Sequence, residues 1–206
     1  FSKSNNKYNF IFEASSHSLK QNRLQKFPID IAAITNISQD HLDYHKNKKN
    51  YQKVKFSLFE NFLSKQGYAI LNDNINITRE LNLDGLHIGS KDIDIASARS
   101  FLGKNKIIGV SCYNNIKLSL SAEKKSASYV SFGSLYNTST KSNTTSLDEI
   151  IFVSAKKVLS IPICLIGGIN SGNIHYVIKL NSDLIAISKG LSSNDKLEYI
   201  SNVYYE

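Results

Sequence analysis

The sequence predicts an α/β fold built on a parallel sheet, and three observations carry that reading. Strand and helix signals alternate along the 206 residues, the order that produces parallel strands joined by right-handed crossovers. The run Ser160-Ile-Pro-Ile-Cys-Leu-Ile-Gly-Gly-Ile-Asn170 is apolar, uncharged and closed by two glycines, as expected of a strand buried on both faces. The strand signals number eight, which is the count that closes a TIM-type (β/α)8 barrel. An open doubly wound sheet is the alternative, because closure leaves no mark in a sequence.

In chain order, the first strand signal is Tyr8-Asn-Phe-Ile-Phe-Glu13, followed by a short polar helix over Ser16 to Gln25. After Pro28 comes a second strand, Ile29-Asp-Ile-Ala-Ala-Ile-Thr35. Asn47 to Leu63 carries Tyr51, Val54, Leu58, Phe59 and Phe62 near helical period and so predicts a helix. Gly67 punctuates it, and Tyr68-Ala-Ile-Leu71 reads as the third strand. Five strands follow, at Gly85–Ile88, Lys106–Val110, Tyr129–Phe132, Ile161–Ile166 and Leu184–Ile187. Helices fit between them over Ile75–Leu81, Ile95–Leu102, Asn115–Glu123, Ser146–Val158 and Gly172–Leu180. Asn137 to Ser146, rich in Ser, Thr and Asn, predicts a mobile loop over the mouth of a barrel.

Composition narrows the function classes. The chain can bury one substantial core, and its 41% hydrophobic content is that of an ordinary globular protein. It holds no apolar run of about 18 residues, so neither a membrane span nor a membrane partner is expected. No signal-peptide pattern opens the sequence; a start at Phe1 without any Met suggests that the beginning has been trimmed or lost. Cys112 and Cys164 lack metal or redox spacing, which suits a reducing, cytoplasmic location. The net charge of +8 suits an anionic ligand. The lysines are scattered, however, with Lys46, Lys48, Lys49, Lys53 and Lys55 as the dense group, and no nucleic-acid partner is expected. The oligomeric state is not legible.

In parallel α/β folds ligands sit at the C-terminal ends of the strands. The third strand ends in Asn72-Asp73, the fourth in His87-Ile-Gly89 with Asp92 beyond it. Two carboxylates on neighbouring loops can share Mg²⁺, which prefers oxygen ligands and bridges to phosphate oxygens. The plainer reading of Asp73 and Asp92 is that each caps a helix. The fifth strand ends in Ser111, and the sixth leads through Gly133 to Thr138-Ser-Thr-Lys141. With Gly167, Gly168 and Ser188 these hydroxyls, lysine and glycines form a set suited to a phosphate dianion; taken singly, Thr138 and Thr140 are ordinary polar loop residues.

From about residue 69 to 191 the chain resembles thiamine phosphate synthase and its thiazole tautomerase (TenI-like) relatives. The motifs are Ile70-Leu-Asn-Asp73, Asp84-Gly-Leu-His-Ile-Gly89 with Asp92, Ile107-Ile-Gly-Val-Ser111, Tyr129-Val-Ser-Phe-Gly133, Thr138-Ser-Thr-Lys141, Ile166-Gly-Gly-Ile169 and Ala186-Ile-Ser188. The resemblance implies a TIM barrel that joins hydroxymethylpyrimidine diphosphate to thiazole phosphate and releases pyrophosphate. It implies Asp73 and Asp92 on Mg²⁺, Asn72 and Ser111 near the pyrimidine, and Thr138, Thr140 and Lys141 on the thiazole partner or the leaving pyrophosphate. Gly168, Ile187 and Ser188 would cradle the thiazole phosphate. His87, inside its motif, is read as structural. The family's Gln-Leu-Arg-x-Lys motif, which grips the diphosphate, is missing.

Over about 8–72 the chain instead resembles the central domain of Mur ligases that extend UDP-MurNAc-L-Ala-D-Glu. That likeness rests on Phe12-Glu-Ala-Ser-Ser-His17, Leu19-Lys-Gln-Asn-Arg23, Thr35-Asn-Ile-Ser-Gln-Asp-His-Leu-Asp-Tyr-His45 and Tyr51-Gln-Lys-Val-Lys55. It implies Glu13 and His41 as Mg²⁺ ligands, Ser15 and Arg23 on the UDP-sugar peptide, and Lys55 as a carbamylated lysine. Ligase activity is not expected, because no Gly-Lys-Thr phosphate loop is present, and the five residues are then vestigial. The expected division is 1–68, Mur-like βαβα, and 69–206, synthase-like, packing as one hybrid barrel. The expected function is a transferase of the synthase class with a weakened diphosphate grip. The alternatives are a non-catalytic or tautomerase-like phosphate binder, or an inactive fusion fragment.

Overall fold

The computed structural model describes residues 15–22, 29–35, 37, 42–136 and 147–187. Among these residues seven strands, β1 (Ile29–Ile34), β2 (Leu63–Asn72), β3 (Gly85–Ile88), β4 (Ile107–Tyr113), β5 (Tyr129–Phe132), β6 (Ile163–Ile166) and β7 (Leu184–Ala186), follow one another through one sheet in chain order. The pairs β1–β2, β2–β3, β3–β4 and β6–β7 are parallel. Among the described residues eight α-helices connect or precede them: α1 (Ser16–Lys20), α2 (Leu42–His45), α3 (Lys48–Ser57), α4 (Ile75–Glu80), α5 (Ile95–Leu102), α6 (Ile116–Lys124), α7 (Glu149–Val158) and α8 (Ile174–Lys179). This is the βα order of a TIM-like fold. The expected first strand, 8–13, and the loop 137–146 lie outside the described residues. Among the described residues no helix is long and apolar enough to cross a membrane.

The chain divides into two compact units, one within Ala14–Ser111 and Leu118–Val130, the other within Cys112–Lys117 and Ser131–Glu206. In the first, the ends of β2, β3 and β4 place alternate residues on opposite faces. Leu71, Leu86, Ile88, Ile108 and Val110 are buried on one face, and α4 packs against β2 and β3. The residues between them, Asn72, His87, Gly109 and Ser111, are small or polar and share the opposite face, as the period of two requires. In the second unit Phe152, Ala155, Ile163, Leu165, Ile174 and Val177 are buried.

Three element boundaries differ from expectation. The helix begun at Lys48 ends in a π-helical turn, Leu58–Phe62, and Leu63 already belongs to β2, ahead of the expected start at Tyr68. Gly67 therefore lies inside the strand, where the register with β1 slips between Ile29↔Leu63 and Ile31↔Tyr68. A Cβ at Gly67 would lie 2.9 Å from the carbonyls of both Ile29 and Asp30, so the glycine marks a bulge rather than a break. The first helix stops at Lys20 because Asn22 turns into the left-handed region (φ 53°). The four-residue α2 is too short to leave a periodic signal. Ile166 is also 41% exposed, so β6 is buried on both faces only up to its last residue.

Candidate functional site

In the first unit the strand ends bring a polar row together. Asn72 is the register partner of His87 on β3, and His87 that of Gly109 on β4. Asn72, His87 and Ser111 are all half-buried. His87 Nε2 lies 2.9 Å from Ser111 Oγ and Nδ1 lies 2.8 Å from the hydroxyl of Tyr129, which opens β5. The Tyr129 ring occupies the space over Gly109, where a Cβ would approach its Cζ to 2.1 Å. The sequence reading missed Tyr129, whose partner is 42 residues away. The isolated glycine inside a strand was the available signal, since it denotes close approach.

Asp73 follows directly on this row in the left-handed conformation (φ 65°), exposed, with its N–H donating to His87 O at 2.9 Å. Asp92 lies beyond β3, half-buried, and its Oδ2 accepts the Gly89 N–H at 2.6 Å. Neither carboxylate caps a helix, which corrects the plainer reading. Asn74 accepts from Ile77 N–H at the start of α4, and Asp94 accepts from Ala96 and Ser97 at the start of α5. Among the described residues no three His, Cys, Asp or Glu side chains gather as a metal site. Two carboxylates on the loops that follow β2 and β3, one of them oriented by a backbone N–H, are of a chemistry that suits Mg²⁺, which takes one or two protein carboxylates and fills its octahedron with water and ligand phosphate.

In the second unit the end of β6 is a glycine strap. Gly167 (φ 107°) and Gly168 (φ 67°) both adopt left-handed backbone, and a Cβ on Gly167 would fall 2.1 Å from Ser134 Oγ. Leu135 N–H donates to Ile166 O and Tyr136 N–H to Gly167 O, each at 3.0 Å. The Gly168 carbonyl accepts from Asn170 Nδ2 at 3.1 Å and Asn173 Nδ2 at 3.0 Å. Because a trans peptide points its C=O and N–H in opposite directions, these two amides hold the Ile169 N–H facing away from them. Ile187, just after β7, is buried. A cavity lined by Lys156, Leu159, Pro162 and Asp183 lies at the other, N-terminal end of β6, away from the strap.

Thr138, Thr140, Lys141 and Ser188 lie outside the described residues, as do Glu13, Arg23 and His41. Ser15 caps α1, its Oγ accepting from Ser18 N–H at 3.1 Å. Lys55 is half-buried on α3 with its Nζ 5.7 Å from the Tyr51 ring centroid. Its neighbours make a packing cluster: His17 lies 4.1 Å from Tyr44, His45 5.5 Å from Tyr51, and His45 Nε2 2.9 Å from Ser16 Oγ. Several residues of the Mur-like motifs thus hold α1, α2 and α3 together.

Fold and site together define an α/β protein of TIM-like type with its polar residues at the strand ends. The chain belongs to the thiamine monophosphate synthase family, whose model matches residues 32–191. It is 39% identical over 158 residues to the thiamine-phosphate synthase of Nitrosomonas eutropha, a match covering 75% of this chain and 74% of that one. Against the enzyme of the same name from Thioalkalivibrio sulfidiphilus it is 37% identical over 122 residues, 59% of this chain and 58% of the relative. The fold resembles thiamine phosphate pyrophosphorylase from Pyrococcus furiosus (TM-score 0.66, 21% identity, 95% of this chain and 93% of that one). It also resembles a 3-hexulose-6-phosphate synthase (TM-score 0.62, 12% identity, 95% and 96%). The family match begins within the stretch read above as Mur-like, and that reading gains no support from it.

Proposed function

We propose that this chain is a transferase that joins hydroxymethylpyrimidine diphosphate to thiazole phosphate, the reaction implied by its resemblance to the thiamine phosphate synthases. The observation that carries the proposal is the polar row Asn72, His87 and Ser111, flanked by Asp73 and Asp92, at the strand ends of a chain 39% identical to such an enzyme. In the reaction the bond between the pyrimidine methylene carbon and the diphosphate oxygen breaks, its electron pair leaving with pyrophosphate. The thiazole nitrogen then gives its lone pair to that carbon.

Asp73 and Asp92 would hold Mg²⁺, which supplies charge to stabilise the departing pyrophosphate. Ser111 and Asn72 orient the pyrimidine, Thr138, Thr140 and Lys141 meet the leaving group or the thiazole, and Gly168, Ile187 and Ser188 hold the thiazole phosphate through neutral donors. Little acid–base chemistry is required, which agrees with a set of site residues rich in Asp, Thr and Lys. The missing Gln-Leu-Arg-x-Lys motif weakens the grip on the diphosphate, so turnover is expected below that of relatives that carry it.

The segment 1–68 supplies the opening βα units of the same barrel, a reading supported by the parallel pairing of β1 with β2 across residue 68. Its Mur-like residues Glu13, Ser15, Arg23, His41 and Lys55 serve no ligase site. An assay of pyrophosphate release with both substrates and Mg²⁺ tests the proposal. Asp73→Asn and Asp92→Asn are each expected to lower kcat/KM by about 10²-fold or more; a folded variant of either kind with unchanged kcat/KM would remove the metal assignment.

A further inference from the structure

We infer that Tyr129 and His87 are positioning residues for Ser111: the phenol fixes the tautomer of the imidazole, and the imidazole turns the serine proton out toward the ligand. The inference rests on the proposed function above for what that ligand is. It is carried by two hydrogen bonds of His87, 2.8 Å from Nδ1 to Tyr129 OH and 2.9 Å from Nε2 to Ser111 Oγ. A neutral imidazole carries one donor and one acceptor nitrogen, and which is which depends on what it meets. A phenol, far more acidic than an aliphatic hydroxyl, is the better donor. Tyr129 O–H therefore donates to Nδ1, and Nε2–H donates to Ser111 Oγ. The single serine proton is not used on His87 and is left for an acceptor on the ligand, for which the ring nitrogens of an aminopyrimidine are suited.

The arrangement is built into three strands rather than into a loop. His87 is in register with Gly109, and only a glycine there admits the Tyr129 ring, since a Cβ would come within 2.4 Å of its hydroxyl. The imidazole and phenol rings are 5.5 Å apart between centroids and tilted by 34°, and they meet through the ring nitrogen and the hydroxyl. Ser111 lies two residues beyond Gly109, on the same face.

The test is a double-mutant cycle of Tyr129→Phe and Ser111→Ala, read as KM for each substrate and kcat. Tyr129→Phe is expected to raise KM for the pyrimidine diphosphate about 3- to 10-fold, the weight of one ordinary hydrogen bond. The KM for thiazole phosphate should stay unchanged. On the Ser111→Ala background the same change is expected to do nothing further. An equal effect in both backgrounds, or on both substrates, would overturn the inference. Nitrogen-15 NMR of the imidazole at about pH 8, where histidine is ordinarily neutral, reads the tautomer without any turnover. It should show Nε2–H in the wild type and a mixture in Tyr129→Phe; a wild type carrying the proton on Nδ1 would refute the relay. If the wild type releases no pyrophosphate, the functional reading fails, and the NMR result still decides the relay.

Discussion

Gly109 controls more than its own backbone. Replacing it with alanine puts a methyl carbon 2.1 Å from the Tyr129 ring, and the ring must leave its place beside His87. Gly109→Ala should cost about 1–3 kcal/mol in urea unfolding, the range for overpacking a well-filled site, and should abolish the Tyr129 contribution to pyrimidine KM. The two cysteines behave in the opposite way, as inert filler. Burial pushes the Cys112 and Cys164 thiols up to about 12, so at about pH 8 neither is a thiolate. Both should be silent to a thiol reagent in the native protein and both should react in denaturant; a native thiol reacting at the unfolded rate would contradict their burial. At this scale the sequence placed Asn72 at the end of its strand with Asp73 directly after it, whereas Ser111, expected to end a strand, lies inside β4, which continues to Tyr113. The sequence did not reveal Tyr129 or the true caps Asn74 and Asp94, because a side-chain partner two strands away, or a cap displaced by one or two residues, is decided by packing.

Between elements one device recurs. Asn82 and Ser126 follow α4 and α6 in the left-handed region (φ 49° and 64°). Each is succeeded by a buried residue, Leu83 or Ala127, whose N–H reaches back to Thr78 O or Ala122 O, the Schellman pattern of a helix end. The next residue clamps the entrance of the sheet: Asp84 Oδ2 accepts from Ala69 N–H at 2.8 Å and Ser128 Oγ from Ile108 N–H at 3.0 Å. After α8 the same course appears, with Asn181 at φ 53° and Asp183 Oδ2 accepting from Ile163 N–H at 2.8 Å. Asparagine tolerates the left-handed turn and serine does so less well. Ser126→Gly should therefore stabilise by about 0.5–1 kcal/mol, seen as a rise in melting temperature of roughly 1–4 °C; a fall would show that the Ser126 side chain matters more than its backbone.

The link between α5 and α6 is electrostatic. Lys125 Nζ lies 2.6 Å from Asp94 Oδ1, and this bond, with the Ser97 and Ala96 N–H groups, holds the Asp94 carboxyl below its ordinary value. A depressed carboxylate stabilises above its unfolded pKa and loses that contribution as pH falls through the folded one. Lys125→Ala should narrow the stability gap between neutral and acid pH, measured as urea midpoints from about pH 6 down to about pH 2. The effect will be small because both partners are half-exposed.

Across the described residues the alternation of strands and helices was legible from β3 onward because each of those strands is a short, mostly apolar run separated from the next by a helix. From β3 onward the strands fall where periodicity put them, to within two or three residues. What was not legible was the long β2, whose N-terminal part, Leu63-Ser-Lys-Gln-Gly67, is polar and bulged and so lacks a strand pattern. The net charge of +8 against two anionic substrates predicts that kcat/KM falls as salt is raised. The most direct test of the transferase reading is calorimetric titration with thiazole phosphate and with pyrimidine diphosphate plus Mg²⁺, coupled to measurement of released pyrophosphate. Binding of both, with one pyrophosphate released for each thiamine phosphate formed, is the result expected. A folded chain that binds neither and releases none would contradict it.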